Sequence, residues 1–280
     1  MPNLEGREGE YLTERLTDEA VRFLEAERKG PFFLYMTHYA VHTPLQAPEK
    51  LVAKYERKIE RLGAKVNPVY AAMVETLDTS LGRILQTLEK LGVADDTLVI
   101  LTSDNGGLSD VTDNEPLRAG KGFLYEGGIR VPLIVRWPGR TRPGSTVDAP
   151  AIGTDLFATI AEATGADAST AVDSRSLVPI LTGEKQSLAG DLYWYYPHYS
   201  PQAKQPGAAI RSGNWKLIEH YDPPAVELFD LSEDPGEQHD LAATVPEVRE
   251  RLLQTLHREL REAGTRMHTP NPNFKPGGAQ

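Results

Sequence analysis

Two uninterrupted runs, Phe32–Met36 and Thr97–Leu101, set the limits on what this chain can fold into. Both are built of apolar or β-branched residues without a charge, so each reads as an interior strand of a sheet covered on both faces. Between them Ala71, Val74, Leu77, Leu81, Leu85 and Leu88 recur every three or four residues, which predicts a long helix from Tyr70 to Leu91. Upstream, Leu12, Leu16, Ala20, Phe23 and Leu24 mark an amphipathic helix over Leu12 to Arg28, ended by Lys29-Gly30-Pro31, and the charged stretch from Pro48 to Gly63 reads as a surface helix. Helices alternating with buried strands predict a largely parallel α/β sheet.

Both predicted strands run out into polar loops. The second ends in Ser103-Asp104-Asn105-Gly106-Gly107, where two oxygen-bearing side chains fall at a rigid strand end and the glycine pair reads as backbone freedom for a sharp turn. In open α/β sheets ligands bind at the carboxyl ends of strands, and Asp104 with Asn105 offers oxygens to a hard divalent cation; an Asx turn that only closes the strand is the other reading. The first ends in Thr37-His38-Tyr39-Ala40-Val41-His42-Thr43-Pro44, where His42 is suited to face an anion or to donate a proton, or is simply a polar surface residue.

A long loop of low apolar content follows Gly107 and leads to Arg118-Ala119-Gly120-Lys121-Gly122-Phe123-Leu124-Tyr125-Glu126-Gly127-Gly128-Ile129-Arg130. Lys121 between two glycines suits the close approach of a phosphate or sulfate, although the Walker A pattern is absent and an exposed lysine in a turn would look the same. Glu126 and Arg130 are spaced to pair and brace this loop. Val131–Trp137 is a third strand, placed toward an edge by Pro132.

Near 183–190 the pattern changes. Short strands over 191–196, 208–211, 215–218 and 227–230 are separated by Gly, Pro and Asn, as in an antiparallel sheet, and an amphipathic helix over Pro246 to Ala263 closes the chain. His198, just after the aromatic run Tyr193–Tyr196, is a candidate pocket residue, against the plainer reading of these aromatics as core packing. The expected organisation is an α/β domain over 1–185, a small antiparallel subdomain over 186–264 and a poorly ordered tail over 265–280.

Composition excludes several classes. A net charge of −10 argues against non-specific nucleic-acid binding. With no cysteine there is no disulfide framework, thiolate metal site or cysteine nucleophile. No segment has the roughly 20 apolar residues a bilayer span requires, and the polar N-terminus is not a secretory signal.

Three ordered stretches, Pro31–Leu45, Leu101–Gly107 and Gly120–Leu133, resemble the later part of the catalytic domain of the sulfatase family, within the alkaline-phosphatase-like superfamily. The resemblance continues through Trp215–Ile218 and Glu227–Asp230 to the closing helix, and so covers nearly the whole chain. It implies an alkaline-phosphatase-like sandwich whose mainly parallel central sheet is incomplete, followed by the small antiparallel sheet and helix. It implies hydrolysis of sulfate esters, with Asp104 and Asn105 as ligands of an active-site Ca2+ (Mg2+ being the alternative hard cation) and with His42 and Lys121 contacting the sulfate group. The substrate class implied is a sulfate ester, a sulfated saccharide among the candidates; the Tyr193–His198 region is a candidate contributor to the pocket walls. Export to the periplasm or outside the cell is the family expectation.

The sequence departs from the family pattern in one respect. Sulfatases carry a Cys/Ser-x-Pro-x-Arg motif, whose first residue becomes the formylglycine nucleophile, in the part before the region matched here, along with two further metal-binding aspartates. No such motif occurs in this chain; Ser176-Leu177-Val178-Pro179 has its proline one place late and Leu181 where arginine is needed. The expectation is therefore a C-terminal sulfatase portion with about half a metal site, inactive alone and prone to self-association through an exposed sheet edge. A phosphodiesterase or phosphatase of the same superfamily, and a non-catalytic protein that binds sulfated glycans, are the competing readings.

Overall fold

The computed structural model describes residues 5–6, 8–26, 30–170, 173–203, 205–266 and 269; most of the 265–280 tail lies outside them. The chain divides into two compact units, one comprising 1–101 with 110–112 and 134–143, the other 102–109, 113–133 and 144–280.

The first unit is helical over most of its length. Helices α1 (Leu12–Glu25), α2 (Glu49–Leu62) and α3 (Pro68–Lys90) form where the sequence places them, α1 and α3 by apolar periodicity and α2 by its charged stretch, with α3 carrying the contacts with the other two. The start of α3 is fixed locally: the Asn67 side chain accepts hydrogen bonds from the Val69 and Tyr70 amides at 2.9 and 3.1 Å, and Pro68 sits where a missing N–H costs nothing. Leu24, Leu88 and Ala94 form the core of the unit, with Phe32, Leu34, Val93 and Val99 packed on it.

The expected strand at Phe32–Met36 does not form. The segment alternates in burial, Phe32 and Leu34 turning toward the core while Phe33 and Tyr35 remain 68% and 80% exposed. A segment becomes a strand only when a neighbour takes up its backbone groups, and no neighbour among the described residues does so. Strand β1 (Val99–Thr102) pairs with β2 (Leu133–Arg136), the strand predicted at Val131–Trp137. Neither strand is buried on both faces as expected for β1; β1 is half-buried, and Leu133 and Ile134 of β2 are exposed. A two-stranded sheet offers too little area to be covered on both sides.

The second unit is organised about an antiparallel sheet in the order β3 (Leu192–Tyr196), β4 (Gly207–Ser212), β5 (Trp215–Tyr221) and β6 (Pro224–Asp230). The four strands are those predicted. Strand alternation gives the sheet two faces of different character. On one, Ala208, Ile210, Leu217 and Leu228 pack against Leu252, Leu256 and Leu260 of the closing helix α7 (Pro246–Glu262). On the other, Ala209, Ile218 and Phe229 pack against Leu124 and Tyr125 of the glycine-rich loop. The remaining helices are one turn at Glu126–Ile129 (α4), α5 (Asp155–Thr164) and α6 (Val178–Leu181). Thus the loop that carries Lys121 is seated on the sheet face opposite α7.

Candidate functional site

Asp104 and Asn105 lie just beyond β1, one residue after its end, as predicted. Asp104 is exposed, and its Oδ1 accepts from the Asn105 backbone amide at 3.0 Å and side-chain amide at 3.2 Å, an arrangement that fixes the two side chains as a pair. The glycines beyond them do a different task from the one expected. Neither Gly106 nor Gly107 has a positive φ. Instead a Cβ on Gly106 would lie 1.8 Å from the Gly127 carbonyl oxygen, so glycine is required by the close approach of another backbone.

The same holds across the loop. A Cβ on Gly120 would lie 2.3 Å from the Gly107 oxygen, one on Gly127 2.3 Å from the Ala119 oxygen, and one on Gly128 2.1 Å from the Phe123 oxygen. Hydrogen bonds run through the gaps so created: Gly106 N–H to Gly128 O and Lys121 N–H to Gly107 O, both 2.9 Å, and Gly127 N–H to Arg118 O, also 2.9 Å. The strand end that bears Asp104-Asn105 and the loop that bears Lys121 are therefore one interlocked piece. The Asn114 side chain joins them again, donating to the Gly107 and Ala119 carbonyls.

Lys121 is half-buried, and its ammonium forms no ion pair among the described residues. It stands between the left-handed Ala119 (φ 59) and Gly122 (φ 91). The turn after β3 closes on the same place, since a Cβ on Gly122 would lie 2.9 Å from the Gln202 Cβ and 3.1 Å from the Ser200 hydroxyl. His198 belongs to that turn; it is exposed, with its ring edge-on to Tyr196 at 5.5 Å between centroids.

His42 lies in the first unit. It is flanked by cis peptides at Ala40–Val41 and Thr43–Pro44, and its amide donates to the Tyr39 carbonyl at 2.8 Å. Its Nδ1 lies 2.7 Å from the Thr43 carbonyl oxygen. A carbonyl only accepts, so Nδ1 carries a proton and Nε2 is left for other partners.

Beneath the Lys121 loop lies a set of charged residues that the sequence did not reveal as part of the site. Glu126 and Arg130 are the predicted brace, but they stand 3.8 Å apart. The close partner of Glu126 is Lys216 of β5, 2.9 Å away, and Lys216 also pairs with Glu237 at 2.7 Å; all three are essentially excluded from solvent. Burial pushes the Glu237 carboxyl above the ordinary range, against the pull of Lys216. Beside them Glu227 accepts from Tyr125 at 2.5 Å and faces His220 at 2.7 Å and Arg118 at 3.3 Å. Burial raises the Glu227 carboxyl, but these partners together outweigh it and hold it at about 2. The Arg118 guanidinium lies over the Tyr125 ring at 3.9 Å.

Comparison with known proteins fits this geometry. The family model for sulfatases matches residues 1–166, and that for the C-terminal region of N-sulphoglucosamine sulphohydrolase matches 119–266. The chain belongs to the sulfatase family. A sulfatase of Formosa agariphila is 36% identical over 84% of this chain and 47% of its own length, and rat steryl-sulfatase 34% identical over 82% and 44%. The crystal structure of Ps i-CgsB in complex with k-i-k-neocarrahexaose is 32% identical, with a TM-score of 0.79 over 93% of this chain and 56% of that one. This sulfatase chain thus has the alkaline-phosphatase-like α/β fold and spans about half the length of the curated relatives it matches. No group of three or more His, Cys, Asp or Glu able to hold a metal occurs among its described residues, and none of its described helices is long and apolar enough to cross a membrane.

Proposed function

We propose that this chain carries the metal- and sulfate-contacting side of a sulfuric ester hydrolase site. Asp104 and Asn105 are its oxygen ligands to Ca2+, or to Mg2+, and Lys121 and His42 meet the ester sulfate. The observation that carries the reading is the glycine interlock, which joins Asp104-Asn105 and Lys121 through the 2.9 Å bond from Lys121 N–H to Gly107 O. A rigid pair of oxygens and an ammonium with no ion pair among the described residues, on one backbone scaffold, suit a site for a cation and an anion together.

The donor set fits a hard cation, one carboxylate and one amide carbonyl, but calcium takes roughly 6–8 oxygens, so water or residues beyond this pair must complete the shell. When bound, the cation supplies positive charge to the sulfate oxygens as the S–O bond breaks. Lys121 adds a point charge to the same oxygens. His42 is assigned on the family match alone; with Nδ1–H committed to Thr43, it donates to a sulfate oxygen through Nε2 as the imidazolium.

A sulfated saccharide is the proposed substrate class, supported by the oligosaccharide in the Ps i-CgsB complex. His198 is assigned to the alcohol half of such an ester because it belongs to the turn whose Ser200 and Gln202 lie against Gly122, next to Lys121. The exposed Phe33, Tyr35 and Ile134 support self-association of the isolated chain, which sedimentation at rising concentration tests.

Because the chain encodes no formylglycine precursor motif, it does not turn over sulfate esters by itself. The test is calorimetric titration of the purified chain with CaCl2 and then with sodium sulfate, beside an aryl sulfate assay. Calcium binding lost in Asp104→Ala and sulfate binding lost in Lys121→Met support the reading. Wild-type binding retained in both variants, or chelator-sensitive turnover by the chain alone, overturns it.

A further inference from the structure

Glu237 fastens both ends of the loop that carries Lys121. At one end the Arg118 guanidinium donates to the Glu237 backbone carbonyl at 3.0 Å; at the other the Glu126 backbone amide donates to Glu237 Oε2 at 2.7 Å. Lys216 holds the arrangement from the sheet, with its ammonium between Glu126 Oε1 at 2.9 Å and Glu237 Oε1 at 2.7 Å.

Three features mark this as more than packing. Glu237 has φ 53, a left-handed conformation that a residue with a Cβ adopts at a cost of order 1 kcal/mol. Two carboxylates share one ammonium with almost no exposure, a composition whose desolvation penalty exceeds that of an apolar core of similar volume. The second oxygen of Glu126 is buried without a hydrogen bond. Stability alone is poorly served by such a cluster, whereas a unique placement of the loop is well served: an apolar contact can slide, but a 2.7 Å charge-assisted bond to one backbone amide cannot.

We propose that Glu237 and Lys216 are positioning residues of the sulfate site, acting as a buried clamp that fixes the 118–126 loop and so the direction of the Lys121 ammonium. The proposal rests on the reading that Lys121 meets the sulfate. The clamp joins the Lys121 loop to β5 and to the turn after β6, so the small antiparallel sheet is part of the catalytic architecture and not an appendage.

The test uses the 280-residue chain. Glu237→Gly removes the side chain, tolerates the left-handed backbone and leaves Lys216 and Glu126 as a balanced pair; Glu237→Gln keeps an acceptor for the Glu126 amide. Native-state hydrogen exchange is followed at the Lys121, Gly127 and Gly128 amides, with Leu217 and Ile218 as reference. In Glu237→Gly the loop amides are expected to exchange roughly tenfold faster or more while the reference amides hold, and Glu237→Gln to recover most of the protection. Sulfate affinity is expected to fall about tenfold in the Gly variant and to recover with Gln.

Loop exchange unchanged in Glu237→Gly overturns the clamp. If that variant fails to fold, the wild-type exchange decides: loop amides opening together with β5 support the clamp, and loop amides opening far more readily than β5 overturn it. Absence of sulfate binding in the wild type sinks the Lys121 reading alone, because the exchange result still judges the clamp.

Discussion

Asn114 holds Gly107 by both of its backbone groups: Oδ1 accepts the Gly107 amide at 3.0 Å and Nδ2 donates to the Gly107 carbonyl at 2.9 Å. The side-chain amide reproduces the pairing a neighbouring strand would give, at the point where β1 has ended and no strand continues. Nδ2 donates also to the Ala119 carbonyl at 3.0 Å, so one residue bridges the strand end and the Lys121 loop. Replacement by alanine leaves half-buried backbone groups unpaired, and the expected loss is about 2 kcal/mol. Asn114→Asp keeps the acceptor but turns a carboxylate toward two carbonyls, and is expected to lose at least as much at neutral pH. Urea unfolding of both variants measures this; stability equal to wild type would show that Asn114 is dispensable.

Gly106 and Gly213 separate the two uses of glycine. At Gly106 a Cβ would meet a backbone oxygen at 1.8 Å, and neither partner is a flexible side-chain end. Gly106→Ala is expected to lose about 3 kcal/mol or more, since the interlock must part to admit the methyl. Gly213 has φ 58 and open space around it, so Gly213→Ala carries only the conformational penalty, about 1 kcal/mol. Equal destabilisation of the two would refute the close-approach explanation.

Much of this was legible in the chain. Apolar periodicity located α1, α3 and α7 to within a few residues, the charged stretch before Gly63 located α2, and turn residues separated the four strands of the antiparallel sheet, because those signals are local. What was not legible depended on distant partners. Phe32–Met36 has the composition of a strand, yet pairing is a property of two segments and the run alone does not carry it. Gly106 was readable as special, but not its close approach to Gly127. Lys216 shares a strand face with Ile218 and His220 while Trp215, Leu217 and Tyr221 share the other, so alternation alone could not say which face was dry. Both are, because α7 covers one and the Lys121 loop the other.

Glu227 gives the second unit an acid limb. Its carboxyl is held at about 2 against an ordinary 4.5, so the folded state keeps the charge that the unfolded state gives up. A depressed carboxyl contributes stability that is fully present above the ordinary value and is lost as pH falls toward about 2. Glu227→Gln lacks that contribution at every pH. The wild-type advantage is expected to be on the order of 2–3 kcal/mol near neutrality and to close across the acid limb. Urea midpoints of the two proteins, measured from neutral pH downward, test it; a gap independent of pH would assign the effect to shape and not to charge.

In the first unit the proton positions around His38 follow from a chain of three hydrogen bonds. The Thr17 hydroxyl donates to the Thr13 carbonyl at 2.7 Å, so it must accept the Ser80 hydroxyl at 2.6 Å. Ser80, its proton thus committed, accepts from His38 Nε2 at 3.0 Å. His38 is therefore the neutral Nε2–H tautomer, and its Nδ1 is buried without a partner. Protonation would place a second N–H where nothing among the described residues accepts it, and burial holds the imidazole below its ordinary 6.5. With the folded-state value depressed, stability is full above 6.5 and declines as pH falls from there through the folded-state value. His38→Gln, uncharged at every pH, is expected to flatten that decline. Nitrogen chemical shifts of the His38 ring check the premise directly: an Nδ1–H tautomer at neutral pH would reverse the chain of donors and remove the predicted slope.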